Sequence, residues 1–285
     1  MTHSDAAERY AVMGNPISHS RSPAIHRMFA DQFKDDIDYT AIQVGLDGFA
    51  DAVRQFRASG GRGLNVTVPF KLEAFHLADT RTDQAEKAQA ANTLRFSRDG
   101  RIEAHNTDGL GLVRDLARLL GIEWRDRAAG LFAGKSILIL GAGGAVRGVL
   151  APLLECAPAM VVIANRTIAR AQELKQLAGT PLVRACGFDD LAGQRFDIVI
   201  NGTSASLKGE VLPLPRGIFR AGALAYDMMY GNHPTPFMDW ARQNHVVTVS
   251  DGLGMLVEQA AESYYFWRGK RPETAAVMAA LRVGA

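Results

Sequence analysis

The sequence predicts an α/β protein made of two domains, and three observations lead to that fold class. Short apolar runs rich in β-branched residues alternate with amphipathic segments of helical period. The 285 residues suffice for two domains with separate cores. One apolar run, residues 137–140, leads directly into a glycine-rich turn. Because strands that alternate with helices pair in parallel through right-handed crossovers, each domain should contain a mostly parallel sheet.

The first domain is predicted to contain five short strands, with helices between most of them. The strand segments are bounded by glycine, proline or polar turn formers, and residues 98–101 connect the last two strands as a hairpin. The predicted elements are, in order, a strand at 10–13, a helix at 23–33, a strand at 39–44, a helix at 49–58, a strand at 63–68, a strand ending near 97 and a strand at 102–105. A helix at 110–120 follows them.

Two serines stand in the loop before the first predicted helix. Residues 14–23 are dense in turn formers, and Pro23 suits the first turn of a helix. Ser20 and Ser22 are therefore loop hydroxyls at the helix entrance, where a serine can cap exposed N–H groups. We expect Ser22 to contribute to the cap. Since one helix needs one cap, capping explains only part of the pair.

Further polar residues gather near the end of the third predicted strand. Asn65 and Thr67 alternate with apolar residues and should share one face of the sheet, near the edge where ligands of open α/β sheets bind. Lys71 follows in the first turn of the next helix, where a cation opposes the helix dipole unless it has a partner. A plain surface lysine is the alternative. Asp108 could likewise be only a helix cap.

The second domain is predicted as a doubly wound sheet. An irregular linker at 122–134 leads into it. Its strands are expected at 137–140, 160–164, 196–201, 223–229 and 246–249, with helices after the glycine turn, at 168–177 and at 235–243. Two more helices, at 255–267 and 272–281, follow the last strand. With no further strands after them, these C-terminal helices should pack back on the first domain.

The glycine-rich turn predicts a dinucleotide-binding site. Residues 141–145, Gly-Ala-Gly-Gly-Ala, separate a strand buried on both faces from an apolar helix. Glycine can adopt positive φ there and lets backbone N–H groups approach a pyrophosphate at the helix N-terminus. Val146 occupies the last position of the G-x-G-x-x-G fingerprint, where Gly or Ala is usual. The tightness of the helix approach is therefore in question.

The end of the next strand favours a phosphorylated cofactor. Asn165, Arg166 and Thr167 stand where such units contact the adenosine ribose. An NAD site would place Asp or Glu there, whereas this chain offers Arg166 and, one helical turn later, Arg170. Two guanidiniums suit a 2′-phosphate, and two merely solvated arginines would oppose the dipole at a helix start. The sequence thus predicts NADP rather than NAD.

Composition argues against several other classes of function. The 47% hydrophobic and 22% charged residues are typical of a globular protein, and the formal charge of +2 gives no basic stripe for nucleic acid. Because no apolar run approaches 18 residues and the first ten residues lack a signal-peptide core, we expect a soluble, cytoplasmic protein with no membrane partner. The seven histidines and two cysteines form no motif of metal-ligand spacing, so no metal is expected.

An ordered set of short stretches resembles one known family. The stretches are GNPISHSRSP, NVTVPFK, ANTL, NTDG, GAGGA, NRT, DMMY and DGLGMLVEQA. Over nearly the whole chain they closely resemble the shikimate dehydrogenases of aromatic amino-acid (chorismate) biosynthesis. The resemblance implies a substrate-binding domain at 1–108 and 253–285 and a Rossmann-type NADP domain at 109–252. It implies an oxidoreductase, a monomer or homodimer, that reversibly reduces 3-dehydroshikimate to shikimate with NADPH.

The resemblance also implies a role for each matching residue. The implied catalytic pair is Lys71 and Asp108. The implied substrate-binding residues are Ser20 and Ser22 for the carboxylate, Asn65, Thr67, Asn92 and Gln259 for the ring hydroxyls, and Tyr230 near the carboxylate. The implied cofactor-binding residues are Gly141, Ala142, Gly143, Gly144 and Ala145 at the pyrophosphate, Asn165, Arg166, Thr167 and Arg170 at the ribose phosphate, and Thr203, Met228 and Gly252 near the nicotinamide.

The chemistry of ketone reduction fits the implied pair. Hydride addition builds negative charge on the carbonyl oxygen, so a cation and a proton donor are needed there, and Lys71 offers both. Two alternatives remain. One is a quinate-active dehydrogenase of the same family, for which Ser22 is the discriminating position. The other is a catalytically silent dinucleotide-binding regulator, against which Lys71 and Asp108 argue because binding alone needs no proton-transfer pair.

Overall fold

The structure is a computed structural model that describes residues 7–124 and 129–283. It divides into two compact units. Unit 1 comprises the chain up to Asp108 together with Val257–Val283, and unit 2 comprises Gly109–Leu256. The middle of the predicted linker at 122–134, residues 125–128, lies outside the described residues, as do residues 1–6 and 284–285.

Unit 1 contains a six-stranded mixed sheet with the order β2-β1-β3-β5-β6-β4. Only β5 runs antiparallel to its neighbours, so the sheet is mostly parallel, and β5 and β6 form the predicted hairpin. The elements are β1 (Glu8–Gly14), α1 (Ser22–Phe33), β2 (Ile37–Gln43), α2 (Phe49–Ala58), β3 (Gly61–Val66), α3 (Lys71–Leu77), β4 (Thr80–Arg81), α4 (Asp83–Ala88), β5 (Thr93–Phe96) and β6 (Ile102–His105).

Unit 2 contains a six-stranded sheet in which every neighbouring pair is parallel, in the order β12-β11-β10-β7-β8-β9. Counted within the unit, this is the order 3-2-1-4-5-6 of dinucleotide-binding domains. The elements are α5 (Asp108–Leu119), β7 (Ser136–Leu140), α6 (Gly144–Glu155), β8 (Met160–Ala164), α7 (Ile168–Ala178), β9 (Val183–Cys186), β10 (Phe196–Asn201), β11 (Phe219–Asp227), α8 (Pro236–Gln243) and β12 (Thr248–Ser250).

The first strand of each sheet is buried on both faces. In β7, Ile137 and Ile139 belong to one hydrophobic core while Leu138 and Leu140 belong to another. In β1, Met13 belongs to one hydrophobic core of unit 1, whereas the alternate residues of the same strand belong to a second core. Two helical layers therefore enclose each sheet, which explains the near-continuous apolar runs in these strands. The predicted α/β fold class is confirmed.

Two helices follow the last strand, α9 (Leu253–Arg268) and α10 (Ala275–Val283). Residues from Val257 onward belong to unit 1. There the Trp267 ring packs against Tyr10 with centroids 4.7 Å apart and donates its indole N–H to the Leu94 carbonyl at 2.9 Å. The C-terminal helices therefore pack on the first sheet, as predicted. Within residues 7–124 and 129–283, none of the helices combines the length and apolar character that a membrane crossing requires.

Several local predictions were wrong. The third strand ends at Val66, two residues early, so Thr67 lies in the following turn and not on the strand face. Ser22 is the first residue of α1, and Arg21 occupies the N-cap position without a side-chain hydrogen bond. Ser22 is not the cap because it lies within the helix, and its own N–H donates to the Ser20 hydroxyl at 3.3 Å.

Candidate functional site

Lys71 and Asp108 form an ion pair in unit 1. They are the first residues of α3 and α5, and Lys71 Nζ lies 2.5 Å from Asp108 Oδ2. The side chains are only 13% and 7% exposed. Burying two charges is costly unless they are paired in good geometry, and this pair meets that condition. The carboxylate also supplies the partner that a cation at the start of a helix needs.

Asn92 holds the second oxygen of that carboxylate. Its Nδ2 donates to Asp108 Oδ1 at 2.9 Å, while its Oδ1 accepts the Thr107 N–H at 2.8 Å. The Asp108 N–H donates to Asn106 Oδ1 at 3.1 Å, so Asn106 satisfies this backbone group at the helix start. Asp108 is therefore fixed by one cation and one amide, and its carboxylate serves the pair rather than only a helix cap.

Asn65 lies at the end of β3 and is held by Tyr39, a residue that the sequence analysis did not single out. The Tyr39 hydroxyl donates to Asn65 Oδ1 at 2.8 Å. Burial raises the pKa of Tyr39 well above its usual value, and a hydrogen bond with Ser22 opposes the shift. The phenol therefore stays protonated and can donate. Ser22, Tyr39 and Asn65 thus form one connected group.

Gln259 and Ser263, both on α9, are hydrogen-bonded to the residues described above. Gln259 Oε1 accepts from Asn92 Nδ2 and from the Thr107 hydroxyl, each at 3.2 Å. Ser263 Oγ accepts from Asn65 Nδ2 at 2.8 Å and is fully buried. The sequence analysis missed Ser263, although residues four apart share a helix face and its distance from Gln259 could have identified it.

Thr67 brings the ends of β1 and β3 together. Its N–H donates to the Met13 carbonyl at 2.9 Å. A Cβ atom at Gly14 would lie 2.3 Å from Thr67 Cγ2, so a larger residue at the end of β1 would require the Thr67 side chain to move. Ser20 is half-buried in the loop that follows. Tyr230 belongs to unit 2, half-buried in the segment between β11 and α8.

His26 lies beside this cluster without a polar partner. Its ring stacks on Tyr39 with centroids 4.2 Å apart and planes 7° from parallel. Neither ring nitrogen has a hydrogen-bond partner within the described part of the chain. Burial lowers the pKa of His26 to about 3, and an interaction with Asn65 opposes this shift only in part. The ring is therefore neutral and serves as an aromatic surface.

The glycine turn of unit 2 places backbone N–H groups at the start of α6. Gly141 has φ +102°, and a Cβ there would lie 3.1 Å from the Gly202 backbone. Gly143 occupies the N-cap position of α6, without a side-chain hydrogen bond, and the first turn carries no acidic residue. The N–H groups of such a turn, together with the helix dipole, favour an anion. The turn that also includes Ala142, Gly144 and Ala145 therefore fits a pyrophosphate.

Val146, which departs from the fingerprint, is accommodated by a second glycine. Its side chain is fully buried. A Cβ at Gly202 would lie 2.5 Å from Val146 Cγ2 and 3.1 Å from Met228 Sδ. Because Gly202 has no side chain, α6 can approach the sheet despite the larger residue.

Arg166 and Arg170 flank the start of α7. Both are exposed, and neither guanidinium pairs with a carboxylate among residues 7–124 and 129–283. Thr167 is the N-cap residue without a side-chain hydrogen bond, and the first helical turn has no acidic residue. Asn165 Nδ2 donates to the Thr167 carbonyl at 2.8 Å and shapes the turn. Two unpaired cations beside a helix N-terminus suit a phosphate.

Thr203, Met228 and Gly252 converge at the carboxyl edge of the second sheet. The Thr203 hydroxyl donates to Asn201 Oδ1 at 2.7 Å, and the Met228 N–H donates to the Asn201 carbonyl at 2.8 Å. A Cβ at Gly252 would lie 2.2 Å from the Met228 carbonyl oxygen, so a larger residue cannot fit. Ligands of doubly wound sheets bind at this edge.

Two further titratable groups, His105 and Cys156, are held by other residues. His105 contacts Thr82 Oγ1 through Nδ1 at 2.8 Å and stacks on Phe266, and burial lowers its pKa to about 4. Burial raises the pKa of the Cys156 thiol to about 12. Within the described residues, no three His, Cys, Asp or Glu side chains are grouped so that they could hold a metal ion.

Three stretches of the chain match models of known protein families. Residues 12–94 match the shikimate dehydrogenase substrate binding domain. Residues 125–208 match the shikimate / quinate 5-dehydrogenase model, and residues 252–282 match the shikimate 5'-dehydrogenase C-terminal domain. The matches together extend over most of the chain.

The chain is also similar to known proteins over nearly its full length. It is 55% identical to the shikimate dehydrogenase (NADP(+)) of Cellvibrio japonicus over 96% of each chain. It is 56% identical to that of Alkalilimnicola ehrlichii over 96% of this chain and 98% of the relative. The solved structure of shikimate 5-dehydrogenase from Thermus thermophilus, in complex with NADP(H) and shikimate, is 29% identical with a TM-score of 0.83, over 98% of this chain and all of that chain.

Proposed function

The chain belongs to the shikimate dehydrogenase family, and we propose that it reversibly reduces 3-dehydroshikimate to shikimate with NADPH in aromatic amino-acid biosynthesis. The observation that carries the proposal is the Lys71–Asp108 pair, 2.5 Å apart and held by Asn92. A regulator that only binds a dinucleotide would not need this pair. The relatives at 55% and 56% identity are NADP-dependent shikimate dehydrogenases, which does not favour quinate as the main substrate.

We propose that unit 1 binds the substrate and unit 2 binds the cofactor. The match of residues 12–94 to a substrate binding domain supports the first assignment. The parallel strand order of unit 2 and the anion-favouring starts of α6 and α7 support the second. In these terms the substrate-binding region is 1–108 with 253–285, and the dinucleotide-binding region is 109–252.

Lys71 is proposed to donate the proton in the reduction and to accept it in the oxidation. When bound, NADPH supplies the hydride that reduces the carbonyl carbon. Lys71 Nζ stabilises the negative charge that develops on the oxygen and then donates its proton to it. In shikimate oxidation the neutral amine takes that proton back. Asp108 orients Nζ through the ion pair.

The remaining polar residues of unit 1 are proposed to orient the substrate. Ser20 and Ser22 offer hydroxyl donors to its carboxylate. Asn65, Asn92 and Gln259 are oriented by the hydrogen-bond network of unit 1, and we assign them to the ring hydroxyls by the family pattern. We assign Thr67 to the ring hydroxyls and Tyr230 to the carboxylate region by the same family pattern.

The residues of unit 2 fit NADP at three points. The turn 141–145 offers N–H groups to the pyrophosphate, and Arg166 and Arg170, with Asn165 and Thr167, offer charge and polar groups to the 2′-phosphate. Thr203, Met228 and Gly252 line the carboxyl edge of the sheet, where the nicotinamide half is proposed to bind. The unpaired guanidiniums are the feature that favours NADP over NAD.

One assay tests the proposed function. Absorbance of the reduced nicotinamide is followed with shikimate and with quinate, each against NADP⁺ and NAD⁺. We expect the highest kcat/KM for shikimate with NADP⁺, with NAD⁺ lower by at least about tenfold, as expected for a lost charged hydrogen bond. A kcat/KM for quinate comparable to that for shikimate would identify the chain as a quinate-active dehydrogenase. The absence of turnover in all four combinations would contradict the proposal that the chain is an enzyme.

We propose that the enzyme works in the cytoplasm as a monomer or homodimer. The free thiols Cys156 and Cys186 suit a reducing compartment. Sedimentation of the purified protein at several concentrations distinguishes the two assembly states.

A further inference from the structure

Asp227 collects four hydrogen bonds at the end of β11, where its side chain is fully buried. Its Oδ1 accepts from Asn201 Nδ2 at 3.1 Å and from the Met229 N–H at 3.0 Å. Its Oδ2 accepts from the hydroxyls of Ser206 and Thr235, each at 2.6 Å. One carboxylate therefore connects the ends of β10 and β11, the loop after β10 and the start of α8.

These bonds determine which way the Asn201 amide faces. A backbone N–H can only donate, so Asp227 Oδ1 is an acceptor towards Met229, and Asn201 must present its NH₂ group to the same oxygen. The carbonyl oxygen of the Asn201 amide is then left on the other side. There it accepts the Thr203 N–H at 3.1 Å and the Thr203 hydroxyl at 2.7 Å.

The orientation of Asn201 decides the hydrogen-bonding character of Thr203. Its hydroxyl proton is committed to Asn201, so towards any further partner Oγ1 acts as an acceptor. It already accepts the Ala205 N–H at 3.3 Å and retains one lone pair. A ligand group that binds this oxygen must therefore be a hydrogen-bond donor.

We propose that Asp227 is a positioning residue that, through Asn201, presents Thr203 as an acceptor to a donor on the nicotinamide half of NADP, either the carboxamide N–H or a ribose hydroxyl. This inference rests on the proposed function. Asp227 also accepts from the Met229 N–H, so the segment that follows β11 is held by the same carboxylate. Arg166 and Arg170 stand after a different strand, β8. The role of Asp227 is therefore confined to one half of the cofactor.

The test compares two ligands. Asp227→Asn removes the charge and replaces one of the two acceptor oxygens with an NH₂ donor, so the Asn201 amide loses part of what fixes its orientation. Calorimetry with NADP⁺ and with adenosine 2′,5′-bisphosphate, which lacks the nicotinamide half, separates the two ends of the site. We expect the Kd of NADP⁺ to rise by about tenfold or more and that of the fragment to change less than about twofold. Equal weakening of both, or weakening of neither, would overturn the proposal.

Asp197→Asn is the matched control. Asp197 lies on the same strand, β10, near its opposite end, where Oδ2 accepts the Ser136 N–H at 2.8 Å. This variant makes the same charge change away from the carboxyl end of the strand. We therefore expect it to lower Tm without a different effect on the Kd values of the two ligands. A split of the same size in Asp197→Asn would also overturn the proposal. Failure of the wild type to bind either ligand would instead contradict the proposed cofactor.

Thr203→Val tests the last link if Asp227→Asn does not fold. It replaces the Thr203 hydroxyl, which also donates to Asn201, with a methyl group and should produce the same split between NADP⁺ and the fragment. Unchanged NADP⁺ affinity would overturn the proposal. The 3-acetylpyridine analogue of NADP⁺ lacks the carboxamide N–H. A loss that disappears with this analogue identifies the carboxamide as the donor, and a loss that persists identifies a ribose hydroxyl.

Discussion

At the scale of single residues, the contrast between Arg166 and Lys71 shows what each cation needs. Lys71 is partly buried and has its carboxylate partner within the protein. Arg166 is exposed, and no ion pair links it to the described residues. A buried cation without a partner would be costly, whereas an exposed one is available to a ligand. The exposed, unpaired guanidinium of Arg166 therefore supports its proposed role in binding the 2′-phosphate.

Arg166→Ala is expected to weaken NADPH binding by about 1.5–3 kcal/mol, the range for a hydrogen bond to a charged group. NADH lacks the 2′-phosphate, so its affinity should remain nearly unchanged. Fluorescence titration with both cofactors measures the difference. Arg216→Ala, which removes another exposed arginine of unit 2, is the control and should leave both affinities unchanged. Equal losses for NADPH and NADH would contradict the 2′-phosphate assignment.

His26 makes the stability of unit 1 depend on pH. Burial lowers its pKa to about 3 in the folded protein, while an unfolded histidine titrates near 6.5. Between these values the unfolded state binds the extra proton, so the free energy of unfolding falls as pH falls below about 6.5. His105, with a pKa of about 4, acts in the same direction.

His26→Leu should reduce this acid sensitivity. Between pH 6 and 4 the wild-type free energy of unfolding should fall more steeply than that of the variant, by up to about 1.4 kcal/mol per pH unit. Urea unfolding at several pH values measures the slopes. His233→Leu is the control, because it removes a histidine at an exposed position rather than a buried one. Equal slopes for wild type and His26→Leu would show that the ring is protonated in the fold.

At the scale of elements, α6 and β10 fit each other through one large and one absent side chain. Val146 fills the space that Gly202 leaves open. The fingerprint alone could not reveal this compensation, because the two residues are far apart in sequence. A departure from a motif on one element can thus be matched by a glycine on another.

Gly202→Ala should destabilise the protein by about 1–3 kcal/mol, since the new methyl group overlaps Val146 Cγ2. Val146→Ala in the same chain should recover much of that loss, because it vacates the space. Unfolding of the two single variants and the double variant gives the coupling energy. Additive losses would show that the two side chains do not share this space.

Most strands and helices were predictable because their apolar periodicity is strong. Helix α2 and strands β6, β8 and β10 have the predicted bounds. The elements β4, α4 and β9 were not predicted, because with two, six and four residues they carry too little pattern to detect. Thr67 was misplaced because the turn after β3 begins before Pro69. That position depends on contacts with the end of β1, which local sequence does not encode.

At the scale of the whole molecule, the order of the motifs along the chain carried more information than any one motif. The family could be inferred from that order, and the parallel sheet of unit 2 follows from alternating strands and helices. Sequence could not reveal the partners of the implied residues. Tyr39, Ser263, Asn201 and Asp227 come from distant segments, and only the fold brings them to the functional side chains.

The central claim is that Lys71 and Asp108 act as one proton-transfer unit. A double-mutant cycle on kcat for shikimate oxidation with NADP⁺, using Lys71→Ala, Asp108→Ala and the double variant, tests it most directly. Loss of Lys71 should lower kcat by about 10² to 10⁴, with a smaller effect on KM. The account predicts that the double variant loses little more than Lys71→Ala alone. A loss of kcat in the double variant equal to the product of the two single losses would contradict it. A near-normal kcat in Lys71→Ala would also contradict it.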